Sequence, residues 1–497
     1  MKKIKTIIFF LAFAVAAFTA CAPGGDDAKD GEENRPKDEF PDEMAESMPK
    51  ETENDPAYRY TGEQFDFGGE SFTVLYPGDW SLYADYYFSE EENGDAVNDA
   101  IYRRIADTEE FFGIKFETNN CGTIDKIAPT MEREVKSGLN SFDIALTHCI
   151  SGLDSIVANN LAYNWAQMPN VDFSKKYWNS SMNEYLTIDG YMPFAANDFI
   201  IPDPCFLTFC KDLLKEYALE DPYALVKSGK WTWGKLQEMA KQVSKDIDGD
   251  GKFTEDDLYG FAGELDWQFI NAMYSCDQRV MAKDSEGRYA LDLNTSKTQA
   301  IIDMFDDLLY VGNHAYTYEF DARTTKNKYL AFESGRALFY MSVPNYVKEL
   351  RATEFDFGIL PYPKLDESQE NYITLNWAGA MCAPINAANP EKVGAVAEYL
   401  GAKSSEIVLP AYFDILLNGK VIRDDESRDM LDIIYGDSIY DFGLNFSNFN
   451  ELLYVLPKLL QAKNTDLASF YEKRETSVQK QYDKIYDAFV SNAESWR

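Results

Sequence analysis

Apolar positions along the chain fall into distinct rhythms, and each rhythm predicts an element. Phe72-Thr73-Val74-Leu75-Tyr76 is a short β-branched and aromatic run closed by Pro77-Gly78, which predicts a strand. From Asn98 to Phe112 the period lengthens, and Ile101, Ile105 and Phe112 share one helical face. Ile114 to Phe116 and Phe142 to Leu146 return to strand character. Thr232 opens a further helix as its N-cap, with Leu236, Met239, Ala240 and Val243 at helical spacing. Trp231 and Trp233, at its start, read as core. A long helix is predicted from Asp466 to Ser491, with Leu467, Phe470, Tyr471, Arg474, Val478, Tyr482, Ile485 and Phe489 as its packing stripe. Strands alternating with helices predict βαβ units, mainly parallel sheets and an α/β fold.

One apolar run fits none of these rhythms. Met1-Lys2-Lys3-Ile4-Lys5 leads into an apolar stretch that ends at Phe18, followed by Thr19-Ala20-Cys21. A basic start, an apolar core and a small residue at the cut site describe an export signal over residues 1–20. The run falls short of the roughly 20 apolar residues a membrane span needs. Phe18-Thr19-Ala20-Cys21 resembles a bacterial lipobox. That resemblance implies cleavage before Cys21, a diacylglyceryl group on its thiol, and a body held on the outer face of the cell membrane. Residues 21–57, rich in Asp, Glu, Pro and Gly, cannot bury enough apolar surface to order and predict a disordered acidic tether. Its root-mean-square reach is roughly 30–35 Å.

Composition narrows the partners. Hydrophobic residues make up 45% and aromatics 15%, ordinary stock for a folded body of two or three domains. The 84 acidic against 47 basic residues give a net charge of −37, which argues against nucleic acid and against a basic membrane-binding face. Six cysteines follow Cys21: Cys121, Cys149, Cys205, Cys210, Cys276 and Cys382. Their irregular spacing contains no CxxC pair and no zinc pattern, and it leaves open whether any of them pair.

Asp246-Ile247-Asp248-Gly249-Asp250-Gly251-Lys252-Phe253-Thr254-Glu255-Asp256-Asp257 is the strongest local signal. Counting Asp246 as the first position, carboxylates fall at positions 1, 3, 5 and 12, with Gly251 at the sharp turn. Calcium wants six to eight oxygens, and residues 246–257 wrap them round one centre in the manner of an EF-hand. The expected ligands are Asp246, Asp248, Asp250, the Lys252 carbonyl and Asp257, whose side chain is one carbon shorter than the usual Glu. Such hands normally come in pairs, so this single loop predicts a structural Ca2+ rather than a signalling one.

Catalytic signals are few. Two histidines, His148 and His314, lie far apart, and no GxSxG, HExxH or Walker pattern occurs. The expectation is a protein that is not an enzyme, although abundant carboxylates leave glycoside hydrolysis as an alternative.

Several segments together resemble a known family. Gly94 to Arg104 is similar to its first long helix, and Phe142-Asp143-Ile144-Ala145 to a strand facing the second lobe. Lys211-Asp212-Leu213-Leu214 with Gly229-Lys230-Trp231-Thr232-Trp233 resembles its K-D-L-L … T-W signature. Phe332-Glu333-Ser334-Gly335-Arg336-Ala337-Leu338-Phe339 resembles its F-x-x-G-x-A turn, and Phe357 to Pro363 the strand after it. The family is the extracellular solute-binding proteins of ABC importers, family 1, typified by maltose- and oligosaccharide-binding proteins. The resemblance covers most of Phe72 to Lys403.

It implies a periplasmic-binding-protein type II fold: two discontinuous α/β lobes with a hinge and an interlobe cleft. Lobe 1 is expected at 60–198 and 343–402, and lobe 2 at 199–342 and 403–497. The crossings are expected near Asn197–Pro202 and Ser342–Asn345. It also implies a monomer that captures a solute, delivers it to ABC permease subunits and does no chemistry. Sugar chemistry calls for flat aromatics and polar edges, placed outside the carboxyl ends of strands. That rule selects Asp79, Trp80, Tyr83, Thr147, His148, Asn345 and Tyr346, with Asn197 and Asp198 at a crossing and Trp267 and Trp377 beyond. The expected cargo is an oligosaccharide, with a peptide or a modified sugar as the variant within the class. Rival classes are a surface glycan hydrolase, which would release products, and a calcium-dependent adhesion lipoprotein, which would bind a macromolecule without closing.

Overall fold

The strands divide between two sheets that the chain visits in turn. The computed structural model describes residues 55–79, 86–254, 256–285, 287–312, 314–318, 330–350, 353–418, 425–436, 438–446 and 451–497. The signal, most of the tether and Cys21, together with Trp80 and Tyr83, lie outside the described residues.

In chain order the strands are β1 (Ser71–Tyr76), β2 (Lys115–Asn120), β3 (Ile144–Thr147), β4 (Phe206–Cys210) and β5 (Tyr259–Glu264). A hairpin follows, β6 (Met281–Lys283) and β7 (Tyr289–Leu291), then β8 (Ala315–Tyr318), β9 (Ala337–Ser342) and β10 (Phe357–Leu360). The last are β11 (Thr374–Leu375), β12 (Ala380–Cys382) and β13 (Ser438–Ile439). One sheet runs β12-β3-β1-β2 and the other β10-β4-β9-β5-β8, while β11 pairs with β13.

The first sheet is parallel at β3-β1-β2, with Ser71 opposite Lys115 and Val74 opposite Ile144. β12 joins it antiparallel, with Ala380 opposite Thr147. In the second sheet β9-β5-β8 is parallel and β4 is antiparallel to both β9 and β10. The sheets are mainly parallel, as expected, and each carries one reversed strand. β4 and β12 each follow a crossing between lobes, so they enter their sheet from the crossing end and run against their neighbours.

Three crossing segments lie side by side. Pro204 bridges Asn376, the Trp377 amide donates to the Asp203 carbonyl, and the Asn376 amide donates to the Ile439 carbonyl. The first crossing adjoins the expected one. The second comes at 374–377 rather than near 342–345. The apolar strand Phe357–Leu360 hydrogen-bonds to β4 and so belongs to the second sheet, not to lobe 1. Residues 403–497 are likewise shared rather than confined to lobe 2. Helix Leu409–Asn418 packs on Ala96–Phe112 of the first lobe, and Asp425–Gly436 on β10. Val455–Gln461 packs on the second-lobe helices Trp267–Ser275 and Ser296–Tyr310. The helix Glu475–Glu494 returns to Leu153–Ala158 of the first lobe.

Local chemistry explains the elements. The Asp95 carboxylate caps Ala96–Phe112 by accepting from the Val97 and Asn98 amides, and Gly113, at φ 57°, ends the helix. Its buried face carries Ile101, Ile105 and Phe112, as the spacing predicts, and also Val97, Ala100, Arg104 and Thr108. Thr232 Oγ1 caps Trp233–Val243 by accepting from Lys235. Trp231 and Trp233 are buried, their indoles donating to the Pro361 carbonyl and to Ser275 Oγ, both at 3.0 Å. The single long helix expected at 466–491 is two, Leu467–Glu472 and Glu475–Glu494. The Arg474 guanidinium donates to the Phe470 carbonyl, which the Arg474 amide would take in a continuous helix; that amide turns to Tyr471 instead. The six cysteines are free thiols, with Cys121 half-buried and the others buried.

Candidate functional site

Carboxyl ends of β1, β3, β5 and β9 and the starts of β4 and β12 converge on the crossing segments. The crossing segments and the strand ends beside them form the candidate site. Trp267 follows β5 and Trp377 precedes β12, so the two lobes each bring one indole. Their rings meet edge to face at 5.5 Å and 84°. Trp377 is nearly buried and fixed, its indole nitrogen donating to Asn271 Oδ1 at 2.9 Å, whereas Trp267 is half-exposed. A locked wall beside a half-exposed ring can take the apolar face of a flat solute.

Asp203 lies beside this pair, held by its backbone. Its amide donates to Asn376 Oδ1 at 3.0 Å. The surrounding protein desolvates its half-buried carboxyl and pushes it up to about 7. Tyr87, Cys149, Cys205, Tyr412 and Tyr435 all sense its charge. When ionised, a carboxyl placed beside the two indoles is a hydroxyl or amine acceptor. Half-buried Tyr454 is raised to about 12 by burial, with the charge of Asp266 adding to it.

The residues expected from the sequence separate into groups. Trp267 and Trp377 come together. Asp79 is exposed at the end of β1. Asn345 opens the helix Pro344–Glu349, and its Oδ1 accepts from the Tyr86 hydroxyl across the lobes at 3.5 Å. Thr147 is fully buried, and its Oγ1 donates to the Ala380 carbonyl and accepts from the Ala380 amide, inside the ladder. His148 is buried, its Nδ1 accepts from the Ile150 amide, and burial holds it down at about 4, so it is neutral. Asn197 faces the helix Pro390–Lys403: Nδ2 donates to the Ala397 carbonyl and Oδ1 accepts from Phe199. Asp198, half-buried, is pushed up to about 7 by burial, which the Ser405 hydroxyl opposes. Tyr346 is buried with its ring 5.0 Å from Tyr340.

Asp203, which adjoins the Trp377 segment, is not among the residues the sequence selects. The strand-end rule looks only at where strands finish, and Asp203 precedes one that enters backwards. The signal available was Pro202-Asp203-Pro204, an extended stretch carrying an acid between two helix breakers.

The acidic loop is ordered as its sequence predicts. Carboxylate oxygens of Asp246, Asp248 and Asp250 lie within 4.8 Å of one another. Asp246 accepts from the Gly249 and Gly251 amides at 2.7 and 2.8 Å, and Gly251 turns at φ 79°. The Asp250 amide pulls Asp248 down, but desolvation and the charges of Asp250 and Asp246 hold it above the ordinary range. That crowding of like charge suits a cation. Lys252 is exposed. Asp257 is buried, and its two oxygens accept from Ile247 at 2.8 Å and Thr254 at 2.7 Å, which holds its carboxyl low.

Two sheets joined by three adjacent crossings, with aromatic and acidic groups between them, define a two-lobe binding protein. The chain belongs to the bacterial extracellular solute-binding proteins, whose family model matches residues 104–405. Its fold is the type II periplasmic-binding-protein fold, seen in solved relatives of low identity. One is the ABC substrate-binding protein Lmo0181 from Listeria monocytogenes in complex with cycloalternan, with TM-score 0.53 and 11% identity over 85% of this chain and 99% of that one. UspC of M. tuberculosis gives TM-score 0.54 and 15% identity over 84% and 100%. A cyclo/maltodextrin-binding protein complexed with maltotetraose gives 0.54 and 13% over 86% and 97%. No curated protein matches in sequence. Among the described residues no helix is long and apolar enough to cross a membrane.

Proposed function

We propose that this protein is the substrate-binding lipoprotein of an ABC importer and that its cargo is an oligosaccharide. The carrying observation is the Trp267–Trp377 pair set beside Asp203, a stacking surface next to a hydroxyl acceptor. Relatives of the same fold include one in complex with cycloalternan and one with maltotetraose, which supports a sugar. The protein binds without chemistry, works as a monomer and hands its cargo to permease subunits. Cys21 carries the lipid that keeps it on the outer face of the membrane, and residues 21–57 give it reach. Ca2+ is held by Asp246, Asp248, Asp250, the Lys252 carbonyl and Asp257, and braces the turn that leads into β5. The test is a thermal-shift screen of the Ala22–Arg497 protein, in calcium, against maltotetraose, cycloalternan, other oligosaccharides, monosaccharides and peptides. A ligand at 100 times its Kd adds ~2.7 kcal/mol, an easily read rise. A rise confined to one oligosaccharide class supports the reading. A rise only with peptides, or product release from the glycans, overturns it.

A further inference from the structure

The β6–β7 hairpin belongs to the second lobe by its place in the chain, between the helices Trp267–Ser275 and Ser296–Tyr310. Its contacts, however, reach the first. Lys283 Nζ donates to the Glu184 carbonyl at 3.1 Å, and the Tyr289 hydroxyl donates to the Tyr185 carbonyl at 2.8 Å. These two carbonyls end the first-lobe helix Ser180–Tyr185, where no further turn supplies a donor. Arg279, just before the hairpin, lies over the Tyr185 ring at 4.7 Å.

A second anchor sits on the third crossing. Asp441 is fully buried and accepts from the Arg279 guanidinium at 2.9 Å and the Tyr274 hydroxyl at 2.6 Å. Tyr289 stacks on Phe442 at 4.3 Å and 15°. Phe442 in turn touches Tyr482 and Phe489 of the helix Glu475–Glu494, which packs on the first lobe. At the hairpin turn, Arg288 pairs with Asp483 of that helix at 3.3 Å and covers Tyr486 at 4.5 Å.

The contact between Tyr86 and Asn345, across the lobes, is of another kind, a neutral pair at 3.5 Å. Such a contact can form and break at little cost. Separating Arg279 from Asp441 would leave an uncompensated buried charge, so that junction cannot open with each cycle.

We propose that the Met281–Leu291 hairpin is a strap. It stays docked on Ser180–Tyr185 and on Phe442 while the lobes move, and it fixes the axis about which the cleft opens. The proposal rests on the two-lobe fold and not on which solute the cleft takes, so it is tested without any solute.

The ligand-free Ala22–Arg497 protein is compared with Lys283→Ala and with the double variant Lys283→Ala/Tyr289→Ala, which removes both hydrogen bonds to the helix end and the stacking on Phe442. Hydrogen exchange reads the hairpin, and small-angle scattering reads the lobes. The expected result is exchange about tenfold faster at Met281–Lys283 and Tyr289–Leu291, with a larger radius of gyration and a broader distance distribution. Unchanged hairpin protection overturns the proposal, because these contacts then do not hold it. Lost protection with unaltered scattering also overturns it, because the hairpin then does not restrain the lobes. If the double variant fails to fold, Lys283→Ala, which removes one exposed side chain, is read by the same two criteria.

Discussion

Asp203 shows how one residue can oppose stability and serve binding. Its carboxyl is raised by burial from 3.8 to about 7, so the folded protein resists ionising it. Below the ordinary value both folded and unfolded states hold the proton, and there is no penalty. The penalty grows between about pH 4 and 7 and is complete above 7. Asp203→Asn should therefore melt higher than the native protein at pH 8 and equally at pH 4, while losing affinity for the cargo. Equal melting shifts at both pH values would show that ionisation is not the cause. Trp267→Ala should cost affinity about tenfold or more with little change in melting, since its ring is half-exposed. The two indoles were legible in the sequence because Trp is rare and flanks strands. Asp203 was not, because its importance comes from the reversed entry of β4, a property of topology rather than of local pattern.

At the scale of elements, the helix Ala96–Phe112 was readable from spacing, but not what Arg104 does on its buried face. The guanidinium is fully buried, donates to Ser404 Oγ at 3.0 Å and to the Tyr86 and Tyr87 carbonyls at 3.3 and 2.9 Å, and lies 4.7 Å from the Phe199 ring. One forked side chain thus joins four segments. Arg104 uses two nitrogens, one on Ser404 and one on the two carbonyls, and the single nitrogen of Arg104→Lys cannot stand at both places, so that change should lower unfolding stability by about 2–4 kcal/mol in urea titration. The acidic loop is the opposite case, since its spacing alone specified the clustered carboxylates. Adding calcium at 100 times its Kd should stabilise the protein by ~2.7 kcal/mol, a chelator should reverse this, and Asp248→Ala should abolish it. An unchanged melting curve in all three would remove the ion from the account. The broken helix at Lys473–Arg474 escaped the pattern because its apolar stripe continues through the break, and only the guanidinium's choice of carbonyl marks it.

On the scale of the molecule, the two-lobe plan was legible from the order of weak motifs, but the allocation of chain to lobes was not. Phe357–Leu360 carries no mark of which sheet it joins; its pairing with β4 decides that. The same holds for the later helices, which alternate between lobes. Deleting residues 475–497 removes Val478, Tyr482, Ile485 and Phe489, all buried, and the Asn492 side chain that donates to the Val157 carbonyl. The truncated protein should lose protection at Leu153–Ala158 as well as cooperative melting, although that helix lies more than three hundred positions away. Intact exchange there would mean the first lobe stands without its last helix.

That long-range closure bears on the order in which the chain can fold. Asn492 and Val157 are 335 positions apart, so the first lobe cannot complete its core until nearly all of the chain is available. Contacts so distant in sequence close late and slowly. The interleaving of the two lobes thus makes the first lobe's core depend on the last residues of the chain, so its completion is among the latest steps of folding.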